Sequence, residues 1–100
     1  MSLEQVLISA KQQAFKDCGD DVFYQHTSND FFNNLNKVLD KFKEEQSVTD
    51  LQNLFEPDGE AVLMLFKRYE LEEKDTDLDY FVMKNSRSIF ALKNEFKTHQ

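Results

Sequence analysis

One hundred residues with a net charge of -7, 40% apolar, 13% aromatic and 31% charged side chains describe a single domain over 1–100 and exclude a disordered tail. The longest apolar run, residues 61–66, falls far short of the roughly 20 residues a membrane helix needs, so no membrane partner is expected. Two glycines and one proline leave little material for tight turns, while ten Phe and three Tyr, each ring burying on the order of 150–250 Å², supply the bulk that a small core requires.

The first helix opens with Ser2 three residues before Gln5, the spacing of a capping box. Leu3, Val6, Leu7, Ala10, Ala14 and Cys18 follow at three- and four-residue steps, and Gly19 closes the stripe as a C-terminal cap. Residues 20–27 are ambiguous: Val22, Phe23 and Tyr24 form a small apolar plug, either a helical turn or a loop folded onto the core. Thr27 or Ser28 then caps a second helix with Phe31, Leu35, Val38 and Phe42 on its inner face, flanked by Phe32 and Leu39. Ser47 and Asp50 repeat the capping pattern and start a brief helix through Val48, Leu51, Leu54 and Phe55, which the turn Glu56-Pro57-Asp58-Gly59 ends.

Residues 60–73 contain a run that is apolar all round. A buried strand would read the same way, but Ala, Leu and Met outnumber β-branched residues there, which favours a central helix. In the last segment Leu78, Val82, Asn85, Ile89, Leu92 and Phe96 recur at steps of four and three, a coiled-coil-like seam that Phe81 widens. Asn85 on that seam either fixes register or lies at the rim of the bundle. A competing parse makes 78–84 and 88–92 strands joined at Asn85-Ser86-Arg87, an α+β fold with a small antiparallel sheet within 60–92. The preferred fold class is all-α, a compact four- or five-helix bundle.

Most chemistry-bearing motifs are missing from the sequence. Gly19 and Gly59 belong to no phosphate-cradling loop, and no other cofactor fingerprint is present, so no cofactor is expected. The single cysteine cannot form an intramolecular disulfide, which predicts a reducing, cytoplasmic setting. Cys18 and His26, with Asp20 or Asp21, are the only candidates for a zinc site or a nucleophile and base. The four-ligand spacing of structural zinc is missing, and a lone Cys on an apolar helix face reads as core. Asp75, Asp77 and Asp79 resemble the start of a calcium loop, but its sixth position is Tyr80 rather than Gly and its twelfth is Ser86 rather than Glu. No catalytic or metal-binding residue is assigned, and the chain is read as a non-enzyme.

The densest charge lies between residues 70 and 79. Six carboxylates, Glu70, Glu72, Glu73, Asp75, Asp77 and Asp79, stand against Lys74 alone, a local charge of -5. One account is a solvated helix end followed by the first turn of the last helix, where acids complement the dipole. The other is a docking patch for a basic partner, since dense like charge steers association and rejects wrong partners. Only two Arg and dispersed Lys residues disfavour direct nucleic-acid binding. The expected function is that of a small acidic cytoplasmic protein that docks on and inhibits or regulates a basic macromolecule, in the manner of an immunity protein, antitoxin or phage-type inhibitor. The alternative, from a different class, is an assembly module: a helical homodimer or complex subunit paired through the last helix. Monomer and homodimer both remain open on the sequence.

Overall fold

A computed structural model of the chain describes residues 3–41, 52–53 and 59–98. Within them lie helices α1 (Leu3–Cys18), α2 (Val22–Lys41), α3 (Glu60–Arg68), α4 (Leu78–Lys84) and α5 (Ser86–Thr98), and no strand. The fold is an all-α bundle, and the α+β alternative falls because 60–68, 78–84 and 86–98 are all helical. The expected helix through Val48 to Phe55 lies outside the described residues, apart from Gln52 and Asn53, which are helical. Ser2, Phe42 and Pro57 are also outside them.

The α1 stripe folds as its spacing implies. Val6, Ala10, Ala14 and Cys18 are buried, Leu3 and Leu7 pack against the core, and Gly19 takes the left-handed conformation at φ 57°. Helix α1 packs chiefly against α5 and next against α2. Fully buried Ala10 and Ala14 on α1 and Ser88 and Ala91 on α5 keep both surfaces low, which lets the two backbones approach closely. At this junction the Ser88 hydroxyl donates to Ser28 Oγ of α2 at 3.1 Å, and Cys18 Sγ lies 3.6 Å from the same oxygen. Three buried polar groups from three helices thereby satisfy one another.

Helix α2 starts earlier than expected. Asp21, not Thr27 or Ser28, is the capping residue: its carboxylate accepts from the Tyr24 N–H at 3.3 Å and its carbonyl accepts from the Gln25 N–H at 3.0 Å. An ionised carboxylate placed just after the glycine turn outcompetes hydroxyls one turn later, because it also complements the positive end of the helix dipole. Thr27 is therefore interior to the helix, and its hydroxyl sits 3.0 Å from the Lys84 carbonyl oxygen, to which it donates. Phe31, Phe32, Leu35 and Val38 are buried as read.

The aromatic centre joins α2, α3 and α4. Phe31, Phe66 and Phe81 are each 2% exposed or less, with ring centroids 5.6 Å (Phe31–Phe66), 5.8 Å (Phe66–Phe81) and 6.5 Å (Phe31–Phe81) apart. The 87° angle between Phe66 and Phe81 is the edge-to-face arrangement that aromatic quadrupoles favour.

The last segment is not one helix. It breaks at Asn85, which is 4% exposed and donates from Nδ2 to the Phe81 carbonyl at 3.0 Å. Asn85 is thus a buried backbone-bonding residue rather than a rim residue. Of the rest of the seam, Phe81, Ile89, Leu92 and Phe96 are buried in the chain's own core and Leu78 packs against it, whereas Val82 is only half-buried and lies outside that cluster.

Both described glycines have positive φ, but in different surroundings. A Cβ at Gly59 (φ 79°) would stand 3.1 Å from Ile89 Cδ1, whereas one at Gly19 would meet nothing within 4 Å. Gly19→Ala is expected to cost about 1 kcal/mol from backbone conformation alone, and Gly59→Ala roughly 2 kcal/mol because the α5 side chain must also shift. Urea unfolding of the two variants measures the difference, and equal losses would refute the close approach at Gly59.

Candidate functional site

The acidic segment begins where α3 ends, and the local backbone explains its shape. Tyr69 caps α3, and Glu70 follows at φ 61°, the left-handed conformation that glycine ordinarily supplies. The Leu71 N–H donates to the Phe66 carbonyl at 2.7 Å and the Glu70 N–H to the Lys67 carbonyl at 3.1 Å, the two bonds of a Schellman motif. Leu71 then packs onto the core that contains Phe66, which supplies the apolar contact usual to this ending. Glu70 is the one non-glycine residue with positive φ among the described residues.

The six carboxylates divide into two groups. Glu72 is held inside the structure: its Oε1 accepts from the Thr76 hydroxyl at 3.0 Å and its Oε2 pairs with Lys84 Nζ at 3.2 Å, with side chains only 15% and 19% exposed. Asp77 caps α4, where its Oδ2 accepts from the Tyr80 N–H at 3.2 Å. Glu70, Glu73, Asp75 and Asp79 are exposed and form no ion pair among the described residues. Glu70, Glu72 and Glu73 line a shallow concavity of about 420 Å³ together with Lys67 and Lys74.

The other candidates are not assembled into sites. Cys18 is buried against Ser28, while His26 is exposed on the outer face of α2. Asp77 is committed to its cap, so the alternating carboxylates of the calcium-like run do not converge, and no group of three metal-ligating side chains forms among the described residues. A polar cleft of about 230 Å³ does open beside the aromatic centre, between α2 and α4. Its rim carries Asp30, Asn34, Glu72 and Lys84 over a floor of Phe31, Phe66 and Phe81.

No family model, curated protein or solved structure matches this chain. No helix among the described residues is long and apolar enough to cross a membrane.

A second surface was not anticipated. Of the two forms open to residues 20–27, the helical turn holds from Val22 onward, and Val22 and Phe23 are 67% and 50% exposed rather than folded onto the core. Helical geometry gives the reason: steps of four and three back from Phe31 or Ser28 reach Tyr24 and miss both neighbours. Phe23 packs edge-on against Tyr24, with centroids 5.2 Å apart. The Tyr24 hydroxyl lies 3.7 Å from Met83 Sδ, and the Arg87 guanidinium stacks 3.6 Å from the Tyr24 ring centroid. Met83 and Arg87 belong to an outward stripe, Tyr80, Met83, Arg87 and Phe90, whose steps of three, four and three parallel the buried seam. That spacing was legible in the sequence but was masked by the stronger inner one.

Replacing Glu70 by Gly relieves the left-handed strain without touching a side-chain contact, so Glu70→Gly is expected to stabilise the protein by about 0.5–1 kcal/mol. The denaturation midpoint should rise accordingly, and a fall would contradict the Schellman assignment.

Proposed function

We propose that this is a small acidic cytoplasmic binding protein, not an enzyme, which docks through its 70–79 segment on a more basic protein and inhibits or regulates it. Immunity proteins, antitoxins and phage-type inhibitors act in this manner. The observation that carries the reading is Glu70, which keeps a carboxylate at a backbone position suited to glycine. Strain held at an exposed residue whose side chain forms no ion pair among the described residues points to function, since stability alone would select the replacement. Glu73, Asp75 and Asp79 extend the same free negative surface, whereas Glu72 and Asp77 shape the loop that presents it.

A convergence of exposed like charges accelerates encounter with an oppositely charged surface and penalises acidic competitors. Such association weakens steeply with salt, because the Debye length falls from about 10 Å at 0.1 M to about 3 Å at 1 M. Self-pairing through the last helix has less support, as most of its seam already packs inside the chain.

The decisive comparison uses two four-residue charge reversals. Changing Glu70, Glu73, Asp75 and Asp79 to Lys should weaken binding of a lysine-rich polypeptide, read by titration at low salt, by at least about tenfold. Changing Glu4, Asp17, Asp30 and Asp40 to Lys alters net charge equally and should weaken it far less. Equal losses would place the effect in net charge and remove the docking segment.

A further inference from the structure

We infer that the exposed aromatic and methionine face formed by the first turn of α2 and the outer stripe of α4–α5 receives the apolar side of a basic amphipathic helix. The inference rests on the basic-partner reading above and adds to it the place where the partner's apolar side chains lodge. Val22, Phe23, Tyr80, Met83 and Phe90 are 47–67% exposed, a concentration of large apolar side chains beyond the scattered single residues ordinary on protein surfaces. Part of the face is linked by contacts: Tyr24 touches Phe23, Met83 and Arg87, while the Lys84 nitrogen lies 5.2 Å from the Tyr80 ring centroid. Aromatic rings supply large contact area with few rotors to immobilise, and methionine adapts its shape to varied partners.

Charge decides which occupant fits. Asp20 and Asp21 precede the α2 turn, and Asp77 and Asp79 stand at the start of α4; Asp21 and Asp77 cap their helices, which leaves exposed Asp20 and Asp79 as the uncommitted acids, among the described residues, at two ends of the face. The cations within it are already engaged, Arg87 on the Tyr24 ring and Lys84 with Glu72. A second copy of this chain would bring these aspartates toward like-charged surface at a net charge of -7 per molecule, and an anionic membrane would be repelled for the same reason. A helix with apolar residues at i, i+3, i+4 and i+7 and lysine or arginine on its flanks meets both requirements, covering the rings and pairing with the bordering carboxylates. Arg87, its guanidinium 3.6 Å from the Tyr24 ring centroid, places a cation at the centre of the face that repels further cations and so confines the partner's charges to the rim.

The test titrates the intact protein with two peptides of about 18 residues, long enough for a helix of several turns. One places Leu at i, i+3, i+4 and i+7 with Lys elsewhere, and the other is a scramble of equal composition and charge. The amphipathic peptide is expected to bind at least about tenfold more tightly than the scramble, and Phe23→Ser with Met83→Ser should remove that advantage while leaving the scramble unchanged. Phe90→Ser alone should reduce it in part. Because these side chains are exposed, the unfolding midpoints should match the parent, and any variant that melts early is replaced by Phe90→Ser as the deciding measurement.

Equal binding of the two peptides, insensitive to the serine variants, overturns the apolar site and leaves the acidic docking segment standing. Absence of binding by either peptide overturns both. A concentration-dependent dimer in light scattering that Phe23→Ser abolishes assigns the face to a second copy and likewise overturns the inference.

Discussion

Everything in this bundle is arranged around three phenylalanines that come from three different helices. Phe31, Phe66 and Phe81 meet at centroid distances of 5.6–6.5 Å and bring α2, α3 and α4 to one point. Because α3 and α4 are short, neither could be stable from local hydrogen bonds alone, and their helicity depends on burying these rings. The opposite side of the bundle uses the contrary device. There α1 meets α5 through alanines and serines, so close backbone approach replaces side-chain bulk. Large rings on one side and small residues on the other let a chain of this length close its core.

Much of this was legible in the residues. The stripes of α1 and α2, the helical nature of residues 60–68 and the inner seam of 78–96 all follow from three- and four-residue spacing, because burial of one face is what holds such helices. What spacing could not reveal was competition between caps. Asp21 and Ser28 are both acceptable helix starters in isolation, and the choice is made by the Gly19 turn, which delivers the chain directly to Asp21. The cap at Asp21 has a consequence for the surface: a helix that begins at Val22 turns Val22 and Phe23 outward, whereas a loop could have folded them in.

The acidic segment was visible as composition, but its division into structural and free carboxylates was not. Glu72 and Glu73 are neighbours with the same charge, yet one is tied to Lys84 and Thr76 and the other faces solvent. Tertiary placement makes that distinction, since Lys84 lies twelve positions away and reaches Glu72 only after α4 has packed. The pair is partly buried, so part of its attraction is offset by desolvation, and its structural effect is to hold the loop's direction. It orients the segment so that Glu73, Asp75 and Asp79 remain outside.

Asn85 connects the core to the outer face. Its backbone N–H donates to the Phe81 carbonyl at 3.1 Å and its carbonyl accepts from the Ile89 N–H at 2.9 Å, so helical hydrogen bonding continues on both sides of the break. Its side chain bonds the same Phe81 carbonyl, and this local competition is the kind that bends a helix without ending it. A break of one residue changes direction but loses no register. The inner seam therefore resumes at Ile89, Leu92 and Phe96, and the outer stripe of Tyr80, Met83, Arg87 and Phe90 resumes with it. A loop in place of Asn85 would free the two stripes to turn independently; the buried amide keeps them coupled, so the packing that buries Phe81 and Ile89 also determines that Met83 and Phe90 stand exposed.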